Sequence, residues 1–371
     1  MIIGVPKEIK NNENRVGMVT DGVYEMVKMN HKVIVEAGAG LGSDITDEDY
    51  KRAGAVIYTD KQKIFDEADI IVKVKEPIPC EYDFFREGQM LYTYLHLAAD
   101  KEQAEFLRKK KITAFAYETV QTEDGALPLL SPMSEVAGRM SVQIGATLLQ
   151  KNNGGKGMLL GGVPGVAPAE VVILGGGNVG LNAAKMASWM GARVTVFDVS
   201  RKRLMYLDDI FGGKITTLMS SAYNIAAAVK TADLLIGAVL IPGAKAPCLV
   251  TEEMVKTMPR GSVIVDVAID QGGSCETIDR VTTHENPSYE KHGVIHYSVA
   301  NMPGAVSKTS TYALTGMTIQ YLKRIVSADI EDIIKNDKSL RLGLNTYKGE
   351  ITNLGVAEAL GYDYVDALTL V

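Results

Sequence analysis

The sequence predicts an α/β protein of two doubly wound domains with a cleft between them. Three observations carry this. Short β-branched runs alternate with helix-period stretches over the first 130 residues, a second alternating set begins at Val171, and a glycine turn joins a strand to a helix at residues 175–180. Strands alternating with helices form βαβ units, whose parallel sheets are covered on both faces. A chain of 371 residues holds two to three domains at about 150 residues each.

The first set opens with Ile2–Val5 as a strand and Asp21–Met29 as a helix, with Val23, Met26 and Val27 on one face. Val33–Glu36 is a strand, Thr46–Ala53 a helix, and Ala55–Tyr58, Ile70–Lys75, Met90–Leu95 and Ile112–Tyr117 are further strands. Ser131 and Pro132 then open a long helix running to about Gln150, with Ser131 as N-cap and Pro132 in the first helical position. Two Gly/Pro-rich loops, 152–157 and 161–168, mark a boundary or a functional hinge. The second set reads as strands Val171–Leu174, Arg193–Phe197, Lys214–Thr217, Leu234–Ile236, Ser262–Asp266 and Val294–Tyr297. After Pro303 the chain turns helical, at Ala305–Ser327 and near Asp329–Lys335. This tail offers no sheet of its own and is expected to pack on the first domain. The domains are therefore 1–130 with 305–371, and 131–304.

Hydrophobic residues make up 46% and charged residues 23%, with a net charge of −6. That composition excludes disorder and gives no basic footprint for a nucleic-acid partner. Cys80, Cys248 and Cys275 are scattered, which argues against a disulfide framework and a structural zinc site. The start lacks a signal-peptide pattern, and the apolar region Val171–Phe197 is broken by Asn182, Lys185 and Arg193. The expectation is a cytoplasmic protein with no membrane partner.

Val171–Leu174 runs into Gly175-Gly176-Gly177-Asn178-Val179-Gly180 and then a helical stretch. Gly175, Gly177 and Gly180 fit G-x-G-x-x-G. The first permits a tight turn, the second lets backbone approach a pyrophosphate, and the third lets helix and strand pack closely. The helix N-terminus adds unpaired N–H groups and positive dipole. The next strand ends in Asp198, at the spacing expected of a carboxylate on the ribose 2′-hydroxyl. The domain is thus Rossmann-like. Asp198 favours NAD over NADP, while Arg201, Lys202 and Arg203 just beyond it weigh the other way or form a solvated helix start.

Ligands in open α/β sheets bind beyond the carboxyl ends of the strands. Lys75 stands at such an end, His96 at another, Asp270 just past a strand of the second half, and Arg15 in the polar loop after the first strand. Singly, each has a plainer reading: a solvated lysine, a helix-start histidine, a turn aspartate, a loop cation. Four independent candidates converging on one cleft set them apart. His292 and His296 are four apart, but Gly293-Val294-Ile295 between them reads as strand, so no metal is assigned.

Several segments together resemble the alanine dehydrogenase family: Ile3–Glu8, Asn14–Val16, Val74–Pro77, Tyr94–Ala98, Ser131–Arg139, Gly161–Val166, Gly175–Gly180, Asp270–Gly273 and Asn301–Val306. The resemblance spans nearly the whole chain. It is shared in part with the NAD-binding component of proton-translocating transhydrogenase, and loosely with lysine-forming saccharopine dehydrogenase.

The resemblance implies reversible NAD-dependent deamination of L-alanine to pyruvate and ammonium, in a homohexamer. It implies that Arg15 and Lys75 hold the substrate carboxylate and carbonyl, and that His96 and Asp270 handle protons. Cofactor contacts would fall at Ser134, the glycine turn, Asn178, Val179, Asp198, Arg203, Ser220, Val239, Leu240, Val267, Ala268, Ile269, Asp270, Arg280, Ser298, Val299, Ala300 and Asn301. One departure is visible. Members usually carry a proline after the Arg15 segment, where this chain reads Met18-Val19-Thr20-Asp21-Gly22; Thr20 or Asp21 is expected to cap the next helix instead. The competing readings are the transhydrogenase component, which would bind cofactor without turning over alanine, and a nucleotide-sensing protein, which has no need of Lys75, His96 and Asp270.

Overall fold

The computed structural model describes residues 1–239, 246–269 and 272–371. In chain order the first stretch runs β1 (Ile2–Val5), α1 (Thr20–Lys28), β2 (Lys32–Glu36), α2 (Asp47–Arg52), β3 (Val56–Tyr58), α3 (Lys61–Glu67), β4 (Ile70–Val72), β5 (Met90–Thr93), α4 (Lys101–Lys109) and β6 (Thr113–Ala116). After α5 (Ser131–Leu148) come β7 (Glu170–Leu174), α6 (Asn178–Trp189), β8 (Arg193–Asp198), α7 (Arg201–Phe211), β9 (Thr216–Met219), α8 (Ala222–Val229), β10 (Leu234–Gly237), α9 (Glu252–Lys256), β11 (Val263–Asp266), β12 (Ser288–Lys291) and β13 (Val294–Tyr297). The tail holds α10 (Ser307–Val326), α11 (Ile330–Asn336), α12 (Lys338–Gly343), β14 (Leu344–Tyr347), β15 (Glu350–Ile351) and α13 (Leu354–Leu360). The chain divides into two units, Met1–Met133 with Val306–Val371, and Ser134–Ala305.

The first unit holds a sheet ordered β15-β14-β6-β5-β4-β1-β2-β3. From β6 to β3 all neighbours are parallel. Every position of β4 and β6 is buried, as expected of strands covered on both faces. The strand order reverses between β1 and β4, so the loops after these two strands leave in opposite directions and open a crevice. Arg15 lies on the first of these loops and Lys75 on the second. Gly17 closes the gap between them: a Cβ there would stand 2.8 Å from the Val72 carbonyl oxygen.

The tail departs from the sequence expectation. It does contribute sheet: β14 pairs antiparallel with β6, and β15 with β14. Both strands are short, and β14 takes its partner β6 more than 200 residues away, so no local period announces them. The capping expectation is also corrected. Val19 holds the N-cap of α1 and makes no side-chain cap bond, while Thr20 and Asp21 lie in the first turn, where the Asp21 charge meets the helix dipole. In the same way α5 begins at Ser131, whose Oγ donates to the Leu127 carbonyl at 2.9 Å.

The second unit holds a sheet ordered β12-β13-β11-β10-β7-β8-β9. Only β12 runs antiparallel, as a hairpin partner of β13. The order reverses between β7 and β10, which puts the glycine turn after β7 at the switch point. Among the described residues no helix is long and apolar enough to cross a membrane.

Candidate active site

In the first unit Arg15 is buried, and Glu13 holds it by two parallel bonds. A third guanidinium nitrogen, Nη1, lies 3.1 Å from the Met133 sulfur. Burial opposes the Glu13 charge, but the Arg15 bonds and charge outweigh it and hold the carboxyl below its ordinary range. Arg15 is likewise opposed by burial and held charged by Glu13.

Lys75 lies three residues past β4, which ends at Val72 rather than running on to Lys75. Glu8 sets the backbone there, accepting from Val74 N–H at 2.6 Å and Lys75 N–H at 3.2 Å. Glu8 also takes part in a buried triad: Lys73 Nζ donates to Glu8 at 3.2 Å and to Glu81 at 3.1 Å. Burial pushes the Glu8 carboxyl up, and the two carboxylates together keep Lys73 protonated against its own burial. The half-buried Lys75 side chain acts on both Glu13 and Glu76 through its charge.

His96 lies three residues beyond β5 in left-handed backbone, φ 49°. A non-glycine residue adopts this at a cost of about 1–3 kcal/mol, and such strain collects at functional sites. Glu118 secures it, accepting from His96 N–H at 2.6 Å and Leu95 N–H at 3.1 Å. The ring is exposed on one side and stacks on Tyr94 at 5.8 Å between centroids. Tyr94 is anchored in turn by its hydroxyl to the Leu129 carbonyl at 2.6 Å.

In the second unit, the parallel strands β7, β8, β9, β10, β11 and β13 deliver the remaining candidates to one sheet edge. Gly175, Gly177 and Gly180 follow β7, Asp198 ends β8, Ser220 follows β9, Val239 follows β10, Val267, Ala268 and Ile269 follow β11, and Ser298, Val299, Ala300 and Asn301 follow β13. Leu240 and Asp270 lie outside the described residues. Asn178 and Val179 open α6, and Ser134 is in the first turn of α5. The two helices touch there: a Cβ at Gly138 would stand 2.2 Å from the Val179 carbonyl oxygen.

The glycine turn is as tight as its sequence implies. Gly175 has φ 97°, and a Cβ on Gly180 would lie 1.8 Å from the Gly175 oxygen. A Cβ on Gly177 would meet nothing within 4 Å, so the backbone faces open space there. Asp198 is locked against the turn, accepting from Gly176 N–H and Ser200 N–H, each at 2.7 Å. Arg203 is not part of a solvated helix start, as Arg201 and Lys202 are. It donates from Nε to the Gly176 carbonyl and from Nη2 to the Gly177 carbonyl, and its guanidinium lies 4.8 Å from the Tyr206 ring centroid. Ser298 Oγ donates to the Arg280 carbonyl at 2.8 Å, joining those two candidates. The Arg280 side chain instead pairs with Asp279 and lies over the Tyr289 ring. His296 is buried between the Val294 carbonyl and Thr277 Oγ1, and His292 contacts Glu252, so the two histidines do not converge.

Domain profiles described as Alanine dehydrogenase/PNT, N-terminal domain and C-terminal domain match residues 4–137 and 141–354. An alanine dehydrogenase of Methanococcus maripaludis is 62% identical over 367 residues, covering 99% of this chain and 98% of its own. The chain belongs to the alanine dehydrogenase/PNT family. A solved L-alanine dehydrogenase superposes with a TM-score of 0.94 at 48% identity, covering 97% of this chain and 99% of that one. A transhydrogenase structure from Sinorhizobium meliloti gives 0.81 at 27%, covering 95% and 100%. The alanine dehydrogenase/PNT C-terminal profile runs past Ala305 into α10 and β14–β15, so the family's sequence division differs from the division into units.

Within this family member, the residues that hold the candidates in place are the ones sequence reasoning passed over: Glu8, Glu13, Glu76 and Glu118. Glu8 and Glu76 lie inside segments that carry the family resemblance, Glu13 just before another, and Glu118 in a single 3-10 turn, Tyr117–Thr119, but none stands at a strand end where the candidates were sought. The available signal was weak, namely an acidic residue two positions before Arg15 or one after Lys75.

Proposed function

We propose that the chain catalyses the reversible NAD-dependent oxidative deamination of L-alanine to pyruvate and ammonium. The observation that carries this reading is the 62% identity to an alanine dehydrogenase along 99% of the chain. Residues 1–130 and 305–371 would form the substrate domain, and 131–304 the NAD-binding domain.

The second unit's residues fit a dinucleotide. The turn leaves open space at Gly177 and presents the α6 N-terminus, where a pyrophosphate is stabilised by backbone N–H groups and helix dipole. Asp198 is oriented by two backbone amides to accept from ribose hydroxyls. Bound NAD supplies the hydride acceptor.

In the first unit Arg15 and Lys75 would take the substrate carboxylate and carbonyl oxygen. Glu13 keeps Arg15 charged and fixed before substrate arrives, so little reorganisation is left to the reaction. Loss of hydride from Cα leaves an imine, which needs a water deprotonated and its nitrogen protonated. An imidazole suits both transfers, and His96 and Asp270 would share them. The exposed face of His96 allows proton exchange with water.

The test follows reduced-cofactor absorbance with NAD and each of alanine, serine, glutamate, lysine and saccharopine, then pyruvate with ammonium in reverse. Turnover with alanine, reversed by pyruvate and ammonium, establishes the activity. Cofactor binding without any turnover would favour the transhydrogenase component, the reading that the 27% match supports. The resemblance also supports a cytoplasmic homohexamer, which light scattering of the purified protein and cell fractionation test.

A further inference from the structure

We propose that Thr311 and Ser43 are positioning residues for Arg15: their buried hydroxyls tie the backbone on either side of it to α10. The proposal rests on the reading of Arg15 as the substrate-carboxylate site.

Glu13 orients the guanidinium, but it lies two residues from Arg15 on the same loop. That pair travels with the loop and does not set where the loop stands in the fold. The flanking backbone is held from far away in the sequence. Ser43 Oγ donates to the Asn14 carbonyl at 3.0 Å, and Val16 N–H donates to Thr311 Oγ1 at 3.3 Å. The two hydroxyl oxygens are 2.8 Å apart, and both side chains are fully buried.

The protons follow from the partners. A hydroxyl has one proton to donate and can also accept. The Asn14 carbonyl only accepts, so it takes the Ser43 proton. The Val16 amide only donates, so Thr311 is its acceptor. The bond between the hydroxyls therefore runs from Thr311 to Ser43. Val16, Thr311, Ser43 and Asn14 form one directed chain, which closes into a ring through Arg15. Loss of either hydroxyl opens the ring and strands a backbone partner, which is costly where water cannot replace it.

The ring stands on firm elements. The turn Leu41–Ser43 packs directly on Asn14: a Cβ at Gly42 would lie 2.6 Å from the Asn14 oxygen. One helical turn before Thr311, α10 grips the same stretch. Ser307 Oγ donates to the Gly42 carbonyl at 2.5 Å, and Lys308 Nζ pairs with Asp44 at 2.6 Å. A guanidinium recognises a carboxylate only in a set geometry, so a displaced Arg15 binds substrate less well. The carboxylate does not react, so ground state and transition state lose alike, and the loss appears in KM.

The test is steady-state amination of pyruvate by the full-length enzyme at saturating NADH and ammonium, beside an NADH binding titration. Thr311→Val keeps the shape and removes the hydroxyl. Its KM for pyruvate should rise about tenfold, its kcat should fall by less than about threefold, and NADH affinity should hold. Thr311→Ser keeps the hydroxyl and should keep the parent KM. Ser43→Ala opens the same ring, should raise KM likewise, and carries the test if Thr311→Val does not fold. The double variant should raise KM no further than the larger single change, since the ring is already open. A parent KM in both Thr311→Val and Ser43→Ala, whatever their melting temperatures, overturns the positioning role. An equal rise in Thr311→Ser also overturns it, since the lost methyl would then be the cause. Arg15→Met is the control: an unchanged KM for pyruvate would overturn the carboxylate site itself, whereas a raised KM there with parent values in the hydroxyl variants would overturn Thr311 and Ser43 alone.

Discussion

Glu13 grips Arg15 with both of its oxygens: Nε lies 2.7 Å from Oε1 and Nη2 lies 2.6 Å from Oε2, with both side chains almost wholly out of water. A bidentate pair of this kind fixes the plane of the guanidinium as well as its charge. Desolvation offsets much of its attraction, so its value lies in orientation more than in stability.

Breaking that pair from one side should therefore be expensive. Glu13→Gln leaves the Arg15 charge buried without its counter-ion and should cost about 3–5 kcal/mol of stability. Urea unfolding of Glu13→Gln, Arg15→Met and the double variant checks this. The double variant should lose less than the two single losses combined; full additivity would mean the two side chains do not act as a unit.

The strained, exposed His96 predicts a separation of binding from chemistry. In His96→Ala, turnover of alanine should fall below one percent of the starting rate, on the order of a lost general acid–base group, while NADH still binds. Steady-state kinetics beside an NADH fluorescence titration reads both. Near-normal turnover would remove His96 from the proton path.

The glycine turn predicts two different failures from the same substitution. Gly180→Ala puts a methyl 1.8 Å from the Gly175 oxygen and should unfold or distort the second unit. Gly177→Ala meets nothing within 4 Å and should leave the melting temperature unchanged, yet fill the space a pyrophosphate needs and weaken NADH at least tenfold. Calorimetry with a binding titration separates them; tight NADH binding by Gly177→Ala would place the pyrophosphate elsewhere.

Asp198 should discriminate between the two nicotinamide cofactors. Asp198→Ala removes an acceptor from the ribose and a repulsion against a 2′-phosphate, so KM should rise for NAD by about tenfold or more and change far less for NADP. Equal changes for both would detach Asp198 from the ribose.

Acid should destabilise the second unit through His296. Burial is the main cause that lowers its pKa to about 4, against an ordinary 6.5. The folded value lies below the unfolded one, so unfolding takes up a proton between the two. The contribution is fully present above pH 6.5 and is lost as pH falls toward 4, at up to about 1.4 kcal/mol per unit. Urea titrations across that window in the parent and His296→Gln should show a shallower acid slope in the variant; identical slopes would show that another group carries the loss.

The sheet strands were largely legible because each is a short β-branched run closed by turn residues: Ile2–Val5 and Val294–Tyr297 stand where the sequence put them. The glycine turn and Asp198 were legible for the same reason, since the strand, the turn, the helix and the acid at the end of the next strand follow one another without interruption from Glu170 to Asp198. The edges were not. β12 has only half-buried and exposed positions, and β14–β15 complete a sheet begun more than 200 residues earlier.

By itself, then, the amino-acid order determined the α/β class, the glycine turn with its acid, and the strand ends near which Arg15, Lys75 and His96 lie. All of these follow from backbone period and spacing within one segment. Only the tertiary structure decided which carboxylate meets which cation. Lys10 and Glu76 are 66 residues apart, and Glu8 is 65 from Lys73. Those pairs exist because β1 and β4 are neighbours at the point where the strand order reverses. Coulomb attraction depends on distance in space, and no local pattern in the chain encodes that distance.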